Sequence, residues 1–286
     1  MNMPDSRKSN FNLLKVDTHT FCISNSVSLC VHSRTEPHNL KISNLQKGLI
    51  LVINGARAVG EGTGFGLPVV VYSDETYFSG TSNLYVSQRG YCCVIVKEFT
   101  MDRIARNTFR NVTLENRAAR RFIEHLSKLY QDHQRFRILT LKGVTGRMNI
   151  SKEFIEAAPR GKITVTYTIE KQYITVKACF KKLEKRGLEK TFMLNEQGTG
   201  FFRKYNDSEG TKLMDGKIGA WDLVGGEWAC LKTLKGEIGF RLWNVNDAVL
   251  RRGREFLEGS LDWVGLDYEI SRKNDAFMYM IDVLGV

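Results

Sequence analysis

Hydrophobic and polar residues alternate with a period of two along most of this chain. In the longest such run, residues 21–33, Phe21, Ile23, Val27, Leu29 and Val31 fall to one side, and Cys22, Ser24, Ser26, Ser28, Cys30 and His32 to the other. That alternation predicts one half-buried antiparallel strand. Strand-length apolar runs follow at 40–45, 48–54, 69–78, 83–88 and 91–99, and Ser73-Asp74-Glu75 interrupts the third of these as a hairpin turn would. The period then changes. Between 113 and 130, Ala118, Ala119, Phe122, Ile123, Leu126, Leu129 and Tyr130 recur at helical spacing, with Arg117, Arg121 and Lys128 opposite and Thr113 or Asn111 as N-cap. A second, shorter helix is predicted from Ser151, with Glu153 and Glu156 in its first turns and Pro159-Arg160-Gly161 ending it.

Period two returns at 163–169 and 173–180, a hairpin around Glu170-Lys171-Gln172. The run 188–194 is expected to pair with the strand before it through Glu184-Lys185-Arg186-Gly187. Past residue 198 short apolar runs alternate with Gly and Trp, and 246–257 reads as a helix that Gly253 weakens. Strands before and after a helical segment do not make the βαβ alternation of a parallel sheet. The expectation is a mainly β protein, a large antiparallel two-sheet sandwich (supersandwich-like) with a helical insert. Residues 1–18 would be an N-terminal tail and 19–286 one β domain, with the insert at about 101–160 between two β halves.

Composition narrows the class. At 286 residues with 42% hydrophobic and 26% charged side chains, the chain has material for a large core and is neither disordered nor fibrous in character. No apolar run follows a basic start, so no secretory signal is expected, and the apolar runs at 48–53 and 67–72 are too short to span a bilayer. The six cysteines contain no C-x-x-C, which argues for buried thiols in a reducing, cytoplasmic setting. The five histidines make no H-E-x-x-H and no serine sits in a G-x-S-x-G elbow, so neither metal nor cofactor is expected.

Charge is unevenly placed. Of the net +11, residues 101–190 hold 21 Lys+Arg against 9 Asp+Glu, while the flanking segments nearly cancel. A basic middle third invites nucleic acid or another polyanion, with Arg117, Arg121 and Lys128 as its contacts. Lys177, Lys181, Lys182, Lys185, Arg186 and Lys190 decorate the hairpin beyond, where lysines also guard strand edges.

The segment Gly60-Glu61-Gly62-Thr63-Gly64-Phe65-Gly66 resembles a phosphate loop but lacks both the dinucleotide spacing and the Gly-Lys-Ser/Thr of a Walker loop. Glycine at every second position leaves one bare face. That face suits tight sheet packing or a bulge, or else a flat ligand with Glu61 and Thr63 at the wall of a cleft. The segment echoes at Glu196-Gln197-Gly198-Thr199-Gly200-Phe201, which makes Glu196 a candidate second carboxylate. Trp221, Trp228, Trp243 and Trp263 all lie near the C-terminus, and exposed indoles offer faces on which sugar rings or bases stack.

The meander of strands, the helical insert and the Gly/Trp-punctuated C-terminal half resemble the large sandwiches of the galactose-mutarotase-like and polysaccharide-lyase kind. KITVTYTIEKQYITVKACF leading into TFMLNEQGTGFF is the most similar stretch. The resemblance implies a sugar or oligosaccharide as partner but transfers no catalytic residue, because the paired histidines and glutamate of mutarotases have no counterpart pattern here. Two functional expectations follow. In the first, Glu61 and Glu196 serve as acid/base candidates of a carbohydrate-binding or carbohydrate-modifying cleft, with Arg57, Thr63, Tyr77 and Trp221 contacting the ligand. In the second, the basic middle third binds a polyanion.

Overall fold

The computed structural model describes residues 12–15, 20–24, 28–32, 45–53, 56–57, 64–89, 92–109, 150–170, 173–198, 202–214, 217–219, 221–236, 238–257 and 261–284. Among them no α-helix occurs. β1 (Asn12–Lys15), β2 (Thr20–Ser24), β3 (Ser28–His32), β4 (Ile50–Ile53) and β5 (Ala56–Arg57) pair in chain order as a five-stranded antiparallel sheet. The alternating run at 21–33 is therefore a hairpin and not one strand: Phe21 pairs with Val31, Cys22 with Cys30 and Ile23 with Leu29. Antiparallel partners share a face, so a turn in phase with the alternation leaves no trace in the pattern.

The other strands build one 15-stranded sheet. In chain order they are β6 (Gly64–Tyr72), β7 (Thr76–Arg89), β8 (Cys92–Phe109), β9 (Ile150–Glu156), β10 (Gly161–Glu170), β11 (Tyr173–Leu183), β12 (Leu188–Gly198), β13 (Phe202–Asp207), β14 (Lys212–Met214), β15 (Asp222–Leu223), β16 (Trp228–Thr233), β17 (Gly239–Trp243), β18 (Ala248–Leu257), β19 (Leu261–Ser271) and β20 (Ala276–Leu284). Their spatial order is β14-β13-β16-β17-β20-β11-β10-β8-β7-β6-β12-β19-β18-β15, with β9 on a further stretch of β8. β6, β7 and β8 are thus flanked on both sides by strands from beyond residue 160. The sheet ends in strands of three and two residues, β14 and β15, which offer little edge to a foreign strand.

The sheet folds over so that its inner faces meet. Phe65 on β6 packs edge-on against Phe240 on β17 at 4.9 Å, and Tyr268 on β19 against Phe277 and Tyr279 on β20 at 5.1 and 4.7 Å. Alternation sets the inner face along β8, whereas β6 is buried without a break from Gly64 to Val70. On β8, Cys93, Ile95, Lys97, Phe99 and Met101 are buried, while Val94, Val96, Glu98 and Thr100 between them are half-exposed. The two sheet ends approach through Arg252 of β18, whose guanidinium lies 4.8 Å over the Tyr205 ring of β13 and 3.8 Å from Asp207 Oδ2.

Several local expectations are overturned by pairing. The described ends of the segment read as a helical insert are strand: β8 continues to Phe109, and β9 pairs beside it from Arg103↔Glu156 to Phe109↔Ile150. The helix predicted from Ser151 is therefore absent. Its capping residues are a local preference, outweighed by a seven-residue ladder and by Phe154 packing on Phe78 at 4.9 Å. The helix predicted at 113–130 lies outside the described residues. Residues 246–257 hold β18, paired with β19 from Ala248↔Ile270 to Leu257↔Leu261. Residues 188–194 belong to β12, which pairs with β6 and β19 and not with the strand before it. The hairpins at Ser73-Asp74-Glu75 and between β10 and β11 form as the sequence predicts.

Gly64 and Gly66 take left-handed φ values of 82° and 69°, and the register between β6 and β12 shifts between Leu194 and Asn195. The bare glycine face thus serves a bulge and a close approach: a Cβ on Gly66 would stand 2.9 Å from Tyr167 Cε1 on the opposing β10. Here a buried polar network ties the two layers. Gly66 N and Tyr279 OH both donate to Asn195 Oδ1 (3.1 and 2.7 Å), Asn195 N donates to Asp267 Oδ1 (2.7 Å), and Tyr167 OH donates to Gly66 O (3.0 Å). Burial pushes the Tyr167 and Tyr279 hydroxyls well above the usual phenol value, so they stay neutral donors.

Candidate functional site

Asp207-Ser208-Glu209-Gly210 closes the hairpin from β13 to β14. Aspartate opening the turn and glycine at a left-handed position (φ 85° at Gly210) are what such a connection requires. The buried Asp207 carboxylate accepts from Glu209 N (3.1 Å), Thr211 N (2.9 Å) and Tyr205 OH (2.8 Å), which fixes the turn. Burial, with Asp207 adding to it, holds the Tyr205 hydroxyl above its ordinary value.

The turn lies against Gly225-Gly226, in the segment leading to β16. A Cβ on Gly225 would stand 2.7 Å from Glu209 Oε1, and one on Gly226 would stand 2.1 Å from Ser208 Oγ. Bare backbone at both positions therefore sets where Ser208 and Glu209 sit. Ser208 Oγ accepts from Glu227 N at 2.6 Å and Trp228 N at 3.4 Å, which leaves its O–H as a donor. From the end of β17, Asn244 Nδ2 donates to Val224 O and Gly226 O, and Asn244 N donates to Glu227 O. Three loops are thereby stitched into one rim around an open groove of about 840 Å³, lined by Ser208, Glu209, Gly225, Gly226, Glu227, Trp243 and Asn244.

The aromatic wall is Trp243, which belongs to a cross-strand pair. Trp228 on β16 and Trp243 on β17 are direct partners on the outward face, both half-buried. Arg241, two residues before Trp243, lays its guanidinium 4.8 Å over the Trp228 ring and 5.6 Å from the Trp243 ring, with Asp282 Oδ2 3.9 Å from it. Two donors here are buried without a hydrogen-bond partner among the described residues: Trp243 Nε1 and Arg241 Nε. Opposite Arg241, burial pushes the Cys230 thiol up to about 11, so this cysteine is inert at neutral pH. Glu209 and Glu227 are exposed and form no ion pair among the described residues.

Of the sequence-derived candidates, Glu196, Tyr77 and Trp221 do not line this groove. Glu61, Thr63, Arg117, Arg121 and Lys128 lie outside the described residues, and Arg57 is placed as the partner of Val52 in β5. Glu196 is buried on β12 between Gly64 and Gly265, and its Cγ lies 2.8 Å from where a Cβ on Gly265 would stand. Gly265 pairs in turn with Gly253, on which the Trp221 ring rests, with its Cδ2 at 2.4 Å from a Gly253 Cβ position. A row of glycines thus brings Glu196 and Trp221 onto one face of β12, β19 and β18. Tyr77 is buried apart from both, against Tyr72, and its OH accepts from Arg160 Nε at 3.3 Å. Arg160 also binds Asp74 and Glu184, and burial followed by the Glu184 charge pushes Tyr72 up to about 12. That cluster pins the β6–β7 hairpin to the loops after β9 and β11. Among the hairpin lysines, Lys182 binds Glu98 together with Lys162, Lys185 binds Asp275 and Lys190 binds Glu269.

Ser208, Glu209, Glu227 and Asn244 escaped the sequence reading. The signal available was the Asp-Ser-Glu-Gly turn and the Gly-Gly pair ahead of Trp228, but nothing local says that the two loops touch.

No family model matches the chain, and no curated protein matches it. Among solved structures, an α-N-acetylgalactosaminidase, NagBb from Bifidobacterium bifidum in complex with GalNAc, aligns over 91% of this chain at 10% identity and TM-score 0.47. The alignment spans 35% of that enzyme. HI1317 aligns over 96% of this chain and 99% of its own at 7% identity and TM-score 0.40. Slr1438 from Synechocystis sp. PCC 6803 aligns over 97% and 100% at 8% identity and TM-score 0.39.

Proposed function

We propose that the protein binds a saccharide in the groove between the Ser208 turn, the Gly225-Gly226 loop and Trp243. The observation that carries this reading is one indole set beside a hydroxyl, an amide and two carboxylates on a rim held by backbone hydrogen bonds. A pyranose has a C–H face that packs on an aromatic ring and hydroxyls that need both donors and acceptors at its edge. This groove supplies the aromatic surface from Trp243, a donor from Ser208, and acceptors from Glu209 and Glu227. The Gly-Gly pair lets the Ser208 and Glu209 side chains lie against bare backbone, which holds both polar groups at the rim.

The test is a thermal-shift and calorimetric screen of the folded protein against neutral, amino and acidic oligosaccharides. A ligand that binds only the folded state raises the melting temperature. We expect a saccharide-dependent rise that persists in high salt and is lost in Trp243→Ala. No rise with any saccharide, or a rise untouched by Trp243→Ala, would overturn the reading. A rise confined to heparin or RNA and abolished by salt would move the binding surface to the basic residues of 101–190.

A further inference from the structure

We infer that the groove selects a cationic amino sugar, a 2-amino-2-deoxyhexose unit with a protonated amine, over neutral and acidic sugars. This rests on the saccharide reading of the same groove and specifies its substrate class. Among the described residues the charge on the groove wall is of one sign. Glu209 and Glu227 line it, and among the described residues neither is in an ion pair and no lysine or arginine lines it. The arginines behind it face carboxylates of their own: Arg241, stacked on Trp228 and Trp243, points to Asp282 at 3.9 Å. Arg252, beneath the Ser208 turn, lies 3.8 Å from Asp207 and 3.7 Å from Asp222.

The position of Glu209 is built and not incidental. Asp207 accepts its backbone N–H, and the bare Gly225 gives its carboxylate room. A uronate entering this groove would set its carboxylate against two others, with no lysine or arginine among the described lining residues. A protonated amine on a ring seated at Trp243 meets the groove-lining carboxylates as charge-assisted acceptors. The rest of the molecule works against this preference, because a net charge of +11 draws polyanions and repels polycations. Selectivity for an amino sugar must therefore come from the groove itself.

The experiment measures calorimetric affinity at mildly acidic pH for three short oligosaccharides: glucosamine, N-acetylglucosamine and glucuronate oligomers. Binding is compared in the natural protein, Glu209→Gln, Glu227→Gln and the double variant. Each exposed ammonium–carboxylate pair contributes modestly, so the advantage of the free amine over its N-acetylated counterpart is expected to be roughly two- to twenty-fold. That advantage should shrink stepwise in the single and double variants and with added salt. Gln keeps the size of Glu and one acceptor oxygen but carries no charge, so the N-acetylated oligomer should lose less affinity in the variants than the free-amine oligomer does. Equal affinity for all three oligomers, or tighter binding of the uronate with Trp243→Ala abolishing it, would overturn the charge selection while leaving the saccharide groove standing. An amine preference unchanged in the double variant would overturn it too. No binding of any oligomer would remove the saccharide reading itself.

Discussion

Lys97 is a lysine in the core with no carboxylate beside it among the described residues. It occupies an inward position on β8 between Ile95 and Phe99, is 1% exposed, and its ammonium donates to Lys47 O at 2.6 Å and sits 5.0 Å over the Phe99 ring. Burial alone drives its pKa from the ordinary 10.5 down to about 7. In the unfolded chain the same lysine stays protonated up to about pH 10.5. Between the two values the unfolded state binds one more proton, so folding stability rises with pH across this window, by up to about 1.4 kcal/mol per pH unit. The penalty is fully present below pH 7 and gone above the unfolded pKa. Its ceiling, on the order of 5 kcal/mol, follows from the displacement of about 3.5 in pKa at about 1.4 kcal/mol each.

Lys97→Met keeps the length and apolar volume of the side chain but removes the charge. It also leaves Lys47 O without this donor, a loss of about 1–3 kcal/mol. At about pH 6 we expect the variant to be more stable by about 2 kcal/mol or more, the excess of the charge penalty over the lost bond. Urea unfolding monitored by fluorescence at about pH 6, 8 and 9.5 reads the difference. The gain should narrow with pH and approach zero or reverse by about pH 9.5, where the natural lysine is neutral in the folded protein and most of the penalty is gone. A difference independent of pH, or a variant less stable at every pH, would refute the argument that Lys97 is buried at the expense of its charge.

Three other outcomes are expected. Asn195→Ala removes the acceptor shared by Gly66 N and Tyr279 OH inside the sandwich. Two unsatisfied buried donors should cost about 3–5 kcal/mol in urea unfolding, and a loss below about 1 kcal/mol would mean that the network is not holding the layers together. Gly253→Ala places a methyl 2.4 Å from the Trp221 ring; a loss of about 1–3 kcal/mol with a red shift in fluorescence, absent when Trp221→Phe is already present, checks that packing. Gly225→Ala pushes only the flexible end of Glu209, so the melting temperature should hold while binding of a glucosamine oligomer weakens; unchanged binding would show that the Glu209 position is immaterial.

The sequence by itself determined the class of this protein. Period-two alternation is a property of successive residues in one extended chain, so β8, β10, β11 and β20 could be read from their own side chains, as could the turn at Ser73-Asp74-Glu75. The same locality explains the errors. The run at 21–33 has the same parity whether it is one strand or the hairpin β2–β3. Ser151, Glu153 and Glu156 carry helix-capping chemistry that a ladder of backbone hydrogen bonds to β8 overrides. Gly253 lowers helix propensity in isolation, but in the fold it is the position on which Trp221 rests.

Which strands become neighbours was decided only in three dimensions. β12 follows β11 in the chain but lies across the sandwich from it, between β6 and β19, because closing the two inner faces over the Asn195 network requires it there. Glu61 and Glu196 stood out in the sequence because they share a motif, and motif likeness says nothing of distance. The groove was invisible for the converse reason. Ser208-Glu209, Gly225-Gly226 and Trp243-Asn244 share no pattern, and they meet because β13, β16 and β17 are adjacent and their loops emerge at one end. A turn residue such as Glu209 acquires chemistry only when non-local pairing brings an indole and a second carboxylate beside it. That pairing depends on long-range burial and backbone hydrogen bonding, which no short window of sequence contains.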